Sequence, residues 1–176
     1  MMRFRSYILS AFVALVCVFP AKAQDDVWTR VKEVNFPQKT LQASWSRIYH
    51  SPMLQEDVLS EGMVYLRQPD ALRWVTEKPV SRVTVMDSSQ GRGRFRIPEE
   101  KDFKLNVLVG ETYTIQLTPL RREMKQLVGQ IVLTVDKKSY KLLYVTILGV
   151  DGDWTKITFS NVIMDPVLPD SLFVKE

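Results

Sequence analysis

His50 is the only histidine in the chain, and histidine is the side chain best suited to proton transfer near neutral pH. It stands beside Ser51 and Pro52, where no orienting partner is evident, so it reads as a solvated turn residue rather than a general base. A zinc site has no ligand set to draw on, because HExxH, CxxC and paired histidines are all missing from the sequence. Asp151-Gly152-Asp153 looks like a fragment of a calcium loop without its third acid and closing glutamate, and a hairpin turn is the better reading. Gly91-Arg92-Gly93-Arg94-Phe95-Arg96 begins like a dinucleotide fingerprint but has Arg where the last glycine belongs. No helical pattern follows to present an N-terminus to a pyrophosphate. Extended, this piece puts Arg92, Arg94 and Arg96 on one face, either toward an anionic headgroup or, the favoured reading, as charge protecting an edge strand. The expectation is therefore a protein that is not an enzyme and carries no metal or cofactor.

The formal charge of +4 hints at nucleic acid until its distribution is considered. Three of the 24 basic residues, Arg3, Arg5 and Lys22, lie in the first 23 positions, which hold no acid, so the remainder carries a net of +1. That balance argues against a nucleic-acid partner. Residues 1–23 read as a secretory signal peptide. Arg3 and Arg5 form the positive start, Tyr7 to Phe19 an apolar run of 13 residues, and Ala21-Lys22-Ala23 the cleavage motif after Pro20. The run is shorter than the roughly 20 residues a membrane-spanning helix needs. Cleavage after Ala23 leaves residues 24–176 as one domain without cysteine, since Cys17 lies in the segment removed. Such a domain has neither disulfide nor thiol nucleophile and is held by core burial alone.

The elements that must position any site read as mostly strand. Val27, Trp28, Val31 and Val34 have the spacing of a short amphipathic helix from Asp25 to Val34, with Asp25 and Asp26 suited to its start and Pro37 beyond its end. Strands are expected near 39–50, 57–67, 71–77, 81–87, 93–97, 103–109, 112–118, 129–136, 139–149 and 153–161. Gly110-Glu111, Asp136-Lys137-Lys138-Ser139 and Val150-Asp151-Gly152-Asp153 supply successive turns, the pattern of an antiparallel meander. In the Asp-Gly pair both central residues are expected at positive φ. Lys141 to Leu148 and Met63 to Leu66 are apolar on both faces, which a sheet with one wet face does not need. Either something covers both sides or one face lines an apolar cavity.

The strongest local pattern is residues 61–79, Glu61-Gly62-Met63-Val64-Tyr65-Leu66-Arg67-Gln68-Pro69-Asp70-Ala71-Leu72-Arg73-Trp74-Val75-Thr76-Glu77-Lys78-Pro79. It resembles the bacterial outer-membrane lipoprotein carrier protein family, called LolA, in its Gly, apolar strand, basic-Pro turn and Leu-Arg-Trp-like strand. Thr40 to Trp45, Leu117-Thr118-Pro119, Gly152 to Asn161 and Leu168 to Phe173 are similar to further pieces of that family, in the same order. The resemblance implies an unclosed antiparallel β-barrel, a curved half-barrel with a short N-terminal helix and a helical or reduced lid. It implies a periplasmic carrier whose apolar concave face takes up lipoprotein acyl chains. The partners implied are an inner-membrane ATP-driven lipoprotein-releasing transporter and an outer-membrane acceptor, with the carrier itself a monomer. Exposing an acyl chain to water costs about 0.8 kcal/mol per CH₂, so a lipid crossing an aqueous space needs a shield.

Alternation places Val64 and Leu66 on the concave face together with Gln68, with Trp45, Trp74, Ile115 and Leu117 as neighbours. The family tends to have an arginine where this chain has Gln68, and Arg67 faces the other side. Leu72 matches a family position near the mouth that is tied to partner docking. The stretch from Asp87 to Lys104 is short for the family's helical lid. Two other functions fit the same residues: a lipid- or lipoprotein-binding sensor or assembly factor that does not shuttle, and a structural interaction domain with a filled core.

Overall fold

A computed structural model describes residues 21–36, 39–87 and 100–174. Nine strands form one antiparallel sheet: β1 (Thr40–His50), β2 (Val58–Arg67), β3 (Ala71–Lys78), β4 (Arg82–Asp87), β5 (Phe103–Val109), β6 (Thr112–Pro119), β7 (Val128–Asp136), β8 (Leu142–Gly149) and β9 (Trp154–Met164). The order across the sheet is β4-β3-β2-β1-β9-β8-β7-β6-β5, so two meanders are joined along β1 and β9 while β4 and β5 are left as edges. The sheet does not close, which is the half-barrel expected. The expected strand at 93–97, the arginine row within it and the lid region fall largely outside the described residues, as does the signal-peptide run.

One helix, α1 (Ala21–Asn35), lies against β5 on the concave face. It begins earlier than expected, so Asp25 and Asp26 sit beyond its first turn, which holds no acid. Its apolar stripe does what the spacing requires: Trp28 and Val31 are buried among Val107, Ile115, Leu133 and Val135. A short α2 (Arg122–Lys125) sits between β6 and β7. A second buried cluster, Ala43, Trp45 and Val64, lies under the other half of the sheet with Leu72, Trp74 and Phe159 packed against it.

The hairpin at Asp151-Gly152 differs in detail from expectation. Only Gly152 takes positive φ, at 86°, and the Gly149 N–H donates to the Asp153 carbonyl at 2.9 Å. This is a three-residue loop with one left-handed residue rather than a two-residue turn with two. At the β7–β8 turn, Asp136 accepts from the Ser139 hydroxyl at 2.6 Å and the Ser139 N–H at 2.7 Å, which holds its carboxyl below the usual range.

The strands that read as apolar on both faces have two explanations. Inwardly, Val64 and Leu66 of β2 and Leu142 and Val145 of β8 border a cavity. Outwardly, the C-terminal 3-10 turn Asp170–Phe173 packs on β3 and β4 with its Phe173 fully buried, while on β8 Leu143 and Leu148 stay exposed. Arg67 reaches that side as expected. Its guanidinium lies 4.5 Å from the Phe173 ring centre and pairs with Asp170 and with the buried Asp87, the latter at 3.2 Å.

Candidate functional site

Cross-strand register builds the concave face row by row. Leu41 pairs with Leu66 and Leu66 with Leu72, while Ala43 pairs with Val64 and Val64 with Trp74. Leu133 pairs with Val145 on the other half of the sheet. Where the two buried clusters meet, the side chains do not fill the space. A cavity of about 310 Å³ remains, bounded by Val64, Leu66, Leu72 and Trp74, by Leu133, Leu142 and Val145, and by Val31, Asn35 and Phe36 from the end of α1. Leu41, Ala43, Phe159, Val162 and Met164 also line it, and among the described residues Asn35 is its only polar lining residue. Its size falls within the range of small-molecule sites, about 300–1,000 Å³.

Asn35 fixes the helical wall. Its amide nitrogen donates to the carbonyls of Val31 at 2.8 Å and Tyr140 at 2.7 Å, and its amide oxygen accepts from the Leu142 N–H at 2.7 Å. One side chain thus holds the helix end to the β7–β8 turn and satisfies groups the sheet leaves open there.

Two lining residues come from an irregularity that alternation does not anticipate. Phe159 pairs with Trp45 and faces inward, so a regular strand would turn Asn161 and Ile163 inward as well. The β1–β9 register shifts between Gln42 and Ser44, and Asn161 adopts φ 51°. This bulge reverses the alternation and directs Val162 and Met164 into the cavity. The available signal was Asn161 itself, since asparagine is among the few residues that tolerate the left-handed region.

The residues selected from the sequence separate into three places. Val64, Leu66, Leu72 and Trp74 line the cavity. Trp45 lies one layer behind, almost fully buried and stacked on Trp74 with centroids 4.6 Å apart. Ile115 is fully buried beneath α1, with Leu117 packed against the same cluster, so both belong to the filled part of the core. Gln68 lies just past the end of β2 at Arg67, in the turn, where its N–H donates to the Lys39 carbonyl at 2.7 Å. His50 does have a partner the sequence did not reveal, Asp57, 2.8 Å from its Nδ1, and its ring stacks on Trp154. That pair stands at the end of β1 remote from the cavity.

Below Trp74 the concave face opens into a second basin of about 520 Å³, bordered by Arg47, Val58, Ser60, Thr76, Pro79, Val80, Arg82 and Thr84. Trp74 borders both spaces. Among the described residues, no group of three or more His, Cys, Asp or Glu side chains is placed to hold a metal ion, and no helix is long and apolar enough to cross a membrane.

Comparison with solved structures finds chains of similar fold. The chain is similar to a LolA superfamily protein from Nitrosomonas europaea, at 13% identity and TM-score 0.50 over 86% of this chain and 97% of that one. This chain has the LolA-type fold. It is similar too to a domain from Vibrio parahaemolyticus named for outer membrane lipoprotein sorting, at 11% identity and TM-score 0.51 over 88% of this chain and 97% of that one. The chain is also similar to MucB, at 13% identity and TM-score 0.51 over 89% of this chain and 64% of MucB. No family model matches the sequence, and no curated protein matches it either.

Proposed function

We propose that the chain is a non-enzymatic periplasmic carrier that shields lipoprotein acyl chains in its concave cavity between the inner and outer membranes. The observation that carries this reading is the unfilled junction of the two core clusters, which the described residues line with apolar side chains except at Asn35. A folded domain without a ligand to house would gain by closing such a space, because unfilled apolar volume forfeits packing contacts. Each acyl CH₂ taken from water is worth about 0.8 kcal/mol, enough to hold a chain during transit while release remains possible. The signal-peptide pattern of residues 1–23 supports delivery of the domain to the compartment where such transport occurs. The proposed donors and acceptors are an ATP-driven lipoprotein-releasing transporter and an outer-membrane acceptor, with the carrier acting as a monomer. The likeness to a domain named for outer membrane lipoprotein sorting supports the same reading.

Native mass spectrometry of the protein purified from its secreting host without detergent tests this directly. A bound species of acyl or lipoprotein mass is the expected result, and Leu66→Glu, which puts a carboxylate into the cavity wall, should abolish it while leaving the fold intact. An apo mass, with no uptake of added lipoprotein or phospholipid, would instead indicate an interaction domain. One feature favours a variant of the proposal: Gln68 sits in a turn where the resembled family tends to have arginine. A sensor or assembly factor would bind the same ligand but fail to pass it to outer-membrane acceptors in a transfer assay.

A further inference from the structure

The second basin is chemically unlike the first. Arg47 and Arg82 both border it, with Ser60, Thr76 and Thr84, and among the described residues no acidic side chain lines it. Arg47 projects from β1 on the same face as its cross-strand neighbours Ser60 and Ile157. Its Nη2 donates to the Ser60 hydroxyl at 3.0 Å, and the guanidinium lies 6.0 Å from the Trp45 ring centre. Its Nε is buried and has no hydrogen-bond partner among the described residues. A partly buried guanidinium is stabilised by an anion at the edge it leaves open to the basin, since burying a charge without a counter-charge is costly. The guanidinium fork also suits two oxygens of a phosphate or carboxylate.

We infer that the concave face is a two-part amphiphile site, in which Arg47 and Arg82 bind an anionic head group while the acyl chain enters the apolar cavity past Trp74. The inference rests on the reading of the cavity as an acyl-chain site and goes beyond it by adding single-chain anionic lipids to what the site takes. Trp74 borders both spaces, so a ligand running from one to the other would cross its indole. Ser60, Thr76 and Thr84 supply hydroxyls around the same anion. The shared chemistry is an anionic oxygen cluster on a single apolar chain, found in both lysophospholipids and fatty acids.

The experiment compares three probes of equal chain length, each below its micelle concentration: palmitoyl lysophosphatidylglycerol, palmitate and the neutral monopalmitoylglycerol. Affinities come from tryptophan fluorescence and from competition in native mass spectrometry. The anionic probes should bind about tenfold or more tighter than the neutral one, as charge-assisted pairing to arginine implies. This preference should shrink as salt rises. Arg82→Gln, at an exposed position, should reduce the preference, and Arg47→Gln with Arg82→Gln should reduce it below about twofold. Arg47→Lys should restore part of it. The ranking of lysophospholipid against palmitate tells phosphate from carboxylate. Equal binding of all three probes overturns the inference and leaves the carrier reading standing. Failure to take up any of them, or lipoprotein, removes the carrier reading as well.

Discussion

Gly62 lies opposite Trp45 of β1 and Thr76 of β3, beside a register shift between Glu61 and Gly62. A Cβ placed there would lie 1.9 Å from the Val75 carbonyl oxygen, a backbone atom that no rotamer change can move. Gly62→Ala should therefore destabilise the domain by about 2 kcal/mol or more, in the range of overpacked cores. Thermal unfolding would show this as a drop of roughly 4–8 °C. The need for glycine here was not legible from alternation, which treats Gly62 as an inward position like any other. Val64, Leu66 and Trp74 were legible because each lies on a regular stretch of its strand. Val162 and Met164 were not, because the bulge at Asn161 reverses their side. Ile115 shows the complementary limit: its alternation gives the correct face, yet it cannot tell a packed row beneath α1 from an open one beyond its end.

At the scale of elements, strand positions could be read well because turn residues punctuate them, while the attachments between elements could not. Asn35 is the clearest case, since its partners Tyr140 and Leu142 lie more than a hundred residues away in sequence. Asn35→Ala should cost about 2–3 kcal/mol, for three hydrogen bonds of roughly 1 kcal/mol each, and lower Tm by roughly 5–10 °C. Hydrogen exchange should quicken in the last turn of α1 and at Leu142, and remain unchanged in β2 and β3. Lys32 makes a second attachment, to Glu100 ahead of β5, at 2.9 Å. This hydrogen bond from Lys32 holds the Glu100 carboxyl below its usual value, as the Ser139 hydroxyl does for Asp136. For a carboxyl depressed in the folded state, the stabilisation is present above the unfolded-state pKa and lost as pH falls through the folded one. Tm should thus stay level from about pH 7 to about pH 5 and fall below about pH 4. Both pairs are solvent-exposed, so the effect should be small and weaker in high salt. Lys32→Met and Ser139→Ala together should flatten the acid limb of a Tm-against-pH series.

For the whole molecule, an open sheet has two faces to protect from water, and this chain treats them differently. On the convex face, the 3-10 turn Asp170–Phe173 packs on β3 and β4. Phe173 is fully buried there beneath the Arg67 guanidinium, and Arg73 donates to the Leu172 carbonyl at 3.0 Å. The concave face is closed by α1 on one half and left as the cavity on the other. Stability and ligand uptake should therefore respond to different substitutions. Phe173→Ala removes a buried aromatic and should cost about 3–5 kcal/mol, lowering Tm by roughly 6–20 °C. Its lipid affinity at low temperature should match that of the parent, because the sheet lies between Phe173 and the cavity. Leu66→Glu should do the reverse, abolishing uptake with a much smaller change in Tm. Added lipid should raise the Tm of the parent and of Phe173→Ala by the same linkage increment, and leave Leu66→Glu unmoved. If Phe173→Ala instead loses affinity while still folded, the two faces are coupled through β2 and β3, and the C-terminal turn has a part in gating the cavity.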